Sequence, residues 1–179
     1  MDYSLIAQYA PIAVPIVIDV LKHFLKHSVK LSKENEDLEN AVQRAAEDFL
    51  REAEERGIGE IAEAVLALPS ADKSAFQRAL EQMLTTHTPD EAIAAVEEEL
   101  SQVDSLKDNP DLRTAAEIYV NSFRNALWRI PEFRKVATDV LLWQVPQATA
   151  DEIERREENR ALSKLAWPQK LINPTKLLC

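Results

Sequence analysis

Glycine is almost absent: Gly57 and Gly59 are the only two in 179 residues. Nucleotide-binding loops, β-hairpins and tight βα turns need glycine, for left-handed backbone or for close approaches that a Cβ forbids. Its scarcity argues against those architectures and for helices joined at proline-marked corners. Cysteine is scarcer still. The single Cys179 rules out an internal disulfide and fits a reducing cytoplasm. Positive charge is also short: 21 Lys and Arg stand against 31 Asp and Glu, a net −10. Nucleic-acid affinity rests on neutralising phosphates with Lys and Arg, so a nucleic-acid partner is not expected. No catalytic signature is present either, and a non-enzymatic chain without a cofactor is predicted.

What is abundant is Ala, Glu and Leu, all strong helix formers. A chain of this length makes one domain, or one domain with an appendage. The predicted fold class is all-α, a multi-helix bundle with a hydrophobic N-terminal helix. Charge is spread unevenly along it. Residues 1–33 hold two of the acids, Asp2 and Asp19, and four of the bases, Lys22, Lys26, Lys30 and Lys33, for a net +2. The remainder holds 29 acids and 17 bases, a net −12.

From Ser4 to Leu21 the chain reads SLIAQYAPIAVPIVIDVL, and the lysines follow directly. An apolar stretch with a cationic collar suits a segment that enters a lipid surface and stops at the headgroups. At about 18 residues it is at the short edge of a bilayer span. Gln8, Pro11, Pro15 and Asp19 interrupt it. An interfacial or conditionally inserting segment is therefore predicted. Asp2 in place of a basic n-region argues against a secretory signal.

Prolines and glycines divide the rest. A kinked or broken helix is predicted over 12–31, with Pro15 able to open it, and a second over about 33–56. The second has a stripe of Leu38, Val42, Ala45, Phe49 and Ala53, and Gly57 ends it. Ile58, Ile61, Ala62, Val65 and Leu66 mark a third helix ending before Pro69. Ser70 caps a fourth, with Phe76, Leu80, Met83 and Leu84 inside. Thr88-Pro89-Asp90-Glu91 reads as a capping box before a helix burying Ile93, Val96, Leu100 and Val103. Asn109-Pro110-Asp111 repeats that start for a helix carrying Ile118, Tyr119, Phe123 and Leu127. Pro131 opens another, with Phe133, Val136, Ala137, Val140 and Leu141. Thr149 and Glu152 cap a last, highly charged helix. The predicted organisation is 1–33, a hydrophobic helix with its basic collar; 34–166, the bundle; and 167–179, an extended tail or linker.

The sharpest site reading is that Leu5, Ile6, Ile12, Val14, Ile16, Val17, Ile18 and Leu21 insert into a membrane. Each large apolar side chain gains roughly 1.5–3 kcal/mol on leaving water. Lys22, Lys26, Lys30 and Lys33 recur near helical spacing and would meet anionic headgroups, at about 1 kcal/mol each. The alternative is that this helix is the central, fully buried member of the bundle. The two are compatible in sequence: buried at rest, released on activation. His23 and His27 stand four apart, but the spacing lacks the metalloprotease glutamate, and no metal site is expected. The runs Glu97–Glu99 and Glu52–Glu55 read as solvated helix faces, and Trp128, Trp143 and Trp167 as packing residues.

One block, AAEIYVNSFRNALWRIPEFRKVATDVLL at 115–142, resembles a segment in the helical domains at the N-termini of bacterial NLR-like proteins. Those domains precede NACHT or NB-ARC ATPase modules. The resemblance is carried by Tyr119, the step from Arg124 to Leu127, and the corner from Pro131 to Phe133. The layout of residues 4–33 ahead of a bundle is also similar to the Bell and HeLo class of cell-death effectors. The resemblance implies membrane permeabilisation after oligomerisation. The expected partners are anionic membrane lipids, further copies of the chain and an NLR-like signalling protein. The expected location is the cytoplasm, with movement to the inner membrane on activation. The competing expectation is an adaptor, a helical protein–protein interaction domain whose first helix stays buried.

Overall fold

A computed structural model describes residues 3–25, 35–139 and 141–143. The chain divides into two units, Met1–Gln144 and Val145–Cys179, and everything described belongs to the first. The capped helix expected from Thr149, the tail 167–179, Trp167 and Val140 lie outside the described residues.

Seven helices and no strand occur among the described residues: α1 (Tyr3–Leu25), α2 (Asn35–Glu55), α3 (Gly59–Ala71), α4 (Lys73–Thr85), α5 (Pro89–Ser101), α6 (Leu112–Trp128) and α7 (Pro131–Asp139). The class is all-α, as the glycine-poor composition requires. Glycine appears where its freedom is needed. Gly57 has φ +76°, its N–H donates to Glu54 O, and the Ile58 N–H donates to Ala53 O. Those two bonds and the buried Ile58 make a Schellman ending for α2.

Several boundaries differ from the sequence expectation. The first helix begins at Tyr3 rather than near residue 12, and it runs unbroken through Pro11 and Pro15. Those prolines lack the N–H that would bond to the carbonyls of Ala7 and Pro11. Ala7, Pro11 and Pro15 all lie on the exposed face, so water can hydrate the carbonyls left over. α3 does not stop before Pro69 but carries it, buried, in its last turn. The break falls instead at Asp72, whose Oδ1 accepts from Ala75 N at 3.0 Å, so Asp72 and not Ser70 caps α4. Thr88 does cap α5, accepting from Glu91 N at 3.2 Å with Pro89 following. Pro110 lies outside α6: Asn109 Oδ1 accepts from Asp111 N, and that turn precedes the helix. Val103 lies beyond the end of α5 and is half-buried.

The centre of the bundle is α6. Twelve of its residues are buried, on more than one face, and it packs against α2, α3, α5 and α7. α1 is not the central helix. It lies across α2, α3 and α4 with one face in and one face out.

Candidate functional site

The two faces of α1 follow from where its polar and imino residues fall. Gln8, Pro11, Pro15, Asp19, Lys22 and His23 recur at spacings of three and four and share the exposed side. Ile6, Tyr9, Ala10, Ala13, Val14, Ile16, Val17, Val20 and Leu21 are buried. The residues expected to enter lipid are thus split. Ile6, Val14, Ile16, Val17 and Leu21 face the bundle, Leu5 and Ile18 are half-buried, and Ile12 is 40% exposed. Of the expected headgroup contacts, Lys22 is exposed. Lys26, Lys30 and Lys33 lie outside the described residues, as does His27.

Tyr9 is the largest buried side chain of α1. Its ring meets Phe76 of α4 edge-on, with centroids 6.1 Å apart, and Phe123 of α6 at 6.3 Å. Tyr119 continues the cluster, 4.4 Å from Phe123 and 5.6 Å from Phe49 of α2. Such pairs contribute about 0.5–1.5 kcal/mol beyond their buried area. The polar ends are served less well. The Tyr9 and Tyr119 hydroxyls are buried beside one another as hydrogen-bond neighbours, but their contact falls short of full hydrogen-bond geometry and no other protein group serves either. Burial pushes the Tyr119 phenol well above its ordinary range, with the Tyr9 hydroxyl opposing part of that rise. A buried hydroxyl without a partner costs about 1–3 kcal/mol.

A second buried cluster, which no sequence motif marks, closes the C-terminal end of α4. Arg124, 3% exposed, reaches from α6 to the last carbonyls of α4 and the residue just past it. Its Nε and Nη2 donate to Met83 O at 3.2 and 2.8 Å, and Nη2 also donates to Thr86 O at 2.5 Å. The guanidinium lies over the Trp143 ring, 4.5 Å from its centroid, while Trp143 Nε1 donates to Leu84 O at 2.9 Å. A cation at a helix C-terminus meets both orphan carbonyls and the negative end of the dipole. Burial pushes the Arg124 guanidinium down to about 10, with Glu91 opposing that shift. It therefore remains charged at neutral pH. Phe133 stacks edge-on against Trp143 at 5.3 Å, and Arg134 Nε donates to Trp128 O at 3.1 Å. The segment 115–142, singled out by resemblance, is thus largely a structural clasp.

The other sequence candidates resolve plainly. Glu99 pairs with Arg78 and Glu97 with Arg113, each at 2.8 Å, and Glu52 pairs with Arg56. Trp128 and Trp143 are packing residues. His87 Nδ1 donates to Leu141 O at 3.2 Å, a structural contact. Among the described residues no group of His, Cys, Asp and Glu could hold a metal ion. No protein-family model matches the chain, and no curated protein or solved structure is significantly similar to it.

Proposed function

We propose that this chain is a non-enzymatic effector domain of a bacterial immune or programmed-death system, which holds α1 docked at rest and delivers it to a membrane when copies cluster. The observation that carries the reading is the double character of α1. Its stretch Ser4–His23 is long and apolar enough, at 20 residues, to cross about 30 Å of hydrocarbon. Yet only one of its faces is held by the bundle. Moving its buried side chains from protein to lipid exchanges one apolar surrounding for another, so that step is nearly neutral for the helix itself. The outer residues Leu5, Ile12 and Ile18 gain burial in the process, and Lys22 marks where insertion would stop. The vacated surface on α2, α3 and α4 is left apolar and needs a new cover. Clustering supplies one, which links oligomerisation to release. The protein would sit in the cytoplasm until then, and anionic lipids of the inner membrane and an NLR-like signalling protein are the partners this reading names.

A second reading is favoured by the place of Tyr9. A helix whose tyrosine sits among Phe76 and Phe123 has a structural task, which suits an adaptor with α1 permanently in place. Vesicle leakage separates the two. The full chain, fused to an oligomerising tag, is expected to leak vesicles rich in anionic lipid only when clustered, and Val17→Asp is expected to abolish that leakage. A clustered parent that leaks no vesicle of any composition would leave the adaptor reading.

A further inference from the structure

Eight arginines lie among the described residues, and six of them are engaged inside the fold. Arg51, Arg56, Arg78 and Arg113 pair with carboxylates. Arg124 and Arg134 donate to backbone carbonyls. The side chains of Arg44 and Arg129 make no hydrogen bond or ion pair, and both line the same cleft, about 200 Å³ in volume, between α2 and the corner joining α6 to α7. Exposed carboxylates abound on a chain of net charge −10, so two arginines left unpaired in one concavity are out of keeping with the rest of the surface.

The walls of the cleft define what could enter. Arg44 projects from the third turn of α2, and Arg129 is the C-cap of α6, so two packed helices fix the separation of their backbones. Ile130 and Pro131 give the cleft an apolar part, and Asn40 adds an amide. Asp37 also lines it and pairs with neither arginine, so the lining carries a net +1. That balance suits one singly charged carboxylate group between the arginines better than a doubly charged phosphate. The volume equals the liquid share of about six or seven waters, room for a carboxylate and two or three methylenes. The guanidinium fork matches a carboxylate's two oxygens.

We propose that this cleft binds a carboxylate carried on a short aliphatic arm, held by Arg44 and Arg129 with the arm against Ile130 and Pro131. The chemistry is shared by a free dicarboxylate and by a glutamate side chain of an acidic peptide. The site is independent of whether α1 ever leaves the bundle.

The test is an NMR titration of the full chain with glutarate, with a hexaglutamate peptide, and with inorganic phosphate and chloride as competing anions. Glutarate or the peptide is expected to shift the Arg44 and Arg129 side-chain N–H signals saturably. Arg44→Gln and Arg129→Gln should each weaken that binding about tenfold or more, the loss expected for a hydrogen bond to a charged group. Arg44→Lys should fall between, keeping the charge but losing the fork. Arg51→Gln, at a paired surface arginine, should change nothing. Both cleft arginines are exposed and unbonded, so these variants should melt like the parent. Tighter binding of the peptide assigns the site to a protein segment, and equal or tighter binding of glutarate to a small molecule. Absence of saturable shifts with either carboxylate, shifts indifferent to both Gln variants, or phosphate bound more tightly than carboxylate would each overturn the proposal.

Discussion

At the end of α4, most polar atoms are matched: Arg124 and Trp143 supply donors to Met83 O, Leu84 O and the half-buried Thr86 O, leaving Arg124 Nη1 unbonded there and Trp128 Nε1 at the end of α6. Where α1 meets α6, the buried Tyr9 and Tyr119 hydroxyls have only each other, at incomplete hydrogen-bond geometry. Both regions are apolar and well packed, so burial alone does not distinguish them. Polar satisfaction does. A filled network specifies one arrangement, whereas an unfilled one subtracts from the stability of the contact it sits in. The lesson is that the α4–α6–α7 clasp is the fixed frame of this bundle and α1 its least secured major helix. That is the order in which local openings should occur.

Arg124→Ala is expected to produce the largest effect. It removes charged hydrogen bonds to the buried Met83 carbonyl and the half-buried Thr86 carbonyl, each worth about 1.5–3 kcal/mol, and takes away the cation stacked on Trp143. A loss of about 4 kcal/mol in urea denaturation is the expectation. Arg124→Lys should recover only a minor part, because one ammonium cannot reproduce the fork. A loss under about 1 kcal/mol would remove the clasp from its place as the frame.

Val17→Asp comes next and bears directly on α1. Val17 is 1% exposed, and an unpaired carboxylate there costs several kcal/mol if the helix must stay docked. Undocking caps that cost, since the carboxylate then reaches water. Hydrogen exchange should therefore show protection lost through α1 while α6 keeps most of its own. Simultaneous loss in α1 and α6 would show the two regions to be one cooperative unit and would erase the contrast between them.

The same contrast explains what could be read from the sequence. The stripe of Leu38, Val42, Ala45, Phe49 and Ala53 is buried as its spacing predicts, and Thr88 caps α5, because those signals are local. The stop at Gly57 was equally legible. The end of α3 was misplaced because Pro69 can occupy a last helical turn, and the stronger capper, Asp72, stands two residues beyond Ser70. Arg124 was missed as a buried group because an arginine on a helix is ordinarily solvated. Its warning was position: it falls four residues after Val120 and three before Leu127, both buried. The sidedness of α1 was hidden by apolar residues around most of its circumference, though Ala7, Pro11 and Pro15, each four apart, already traced the outer face. The pairing of Arg44 with Arg129 joins residues far apart in sequence, and only the packing of α2 on α6 brings it about.

Tyr119→Phe sharpens the comparison from the other side. Deleting a buried hydroxyl whose neighbour, Tyr9, meets it at incomplete geometry should stabilise the protein by up to about 1 kcal/mol, the reverse of the usual effect of trimming a core. The variant should also differ in alkali. The folded phenol titrates above its ordinary value of 10.0, so above pH 10 the unfolded chain releases this proton while the folded chain keeps it. Stability of the parent therefore falls as pH rises beyond 10, and Tyr119→Phe should fall less steeply. Arg124 is present in both proteins and cancels from that difference. Destabilisation by the phenylalanine would mean that the hydroxyl is satisfied after all and that the two regions are alike.

The smallest expected effect on stability, and the one most specific to membrane action, comes from reversing the collar with Lys22→Glu, Lys26→Glu and Lys30→Glu together. Lys22 is exposed at the end of α1, and a surface charge contributes little to folding, so its reversal alone should alter stability by no more than about 0.5 kcal/mol. The dipole adds a slight penalty, because an acid replaces a base in the last turns of α1. Lipid binding depends on these charges quite differently. Each lysine near an anionic surface gains about 1 kcal/mol, so three reversals should reduce association with anionic vesicles by a hundredfold or more, on the order of the three gains lost. Salt should weaken the parent's binding in parallel, because the attraction is confined within a Debye length of about 10 Å at 0.1 M. Binding that ignores both the substitutions and added salt would place the lipid contact elsewhere on the molecule. A fall in melting temperature as large as that of Val17→Asp would instead make the collar part of what holds α1 in place.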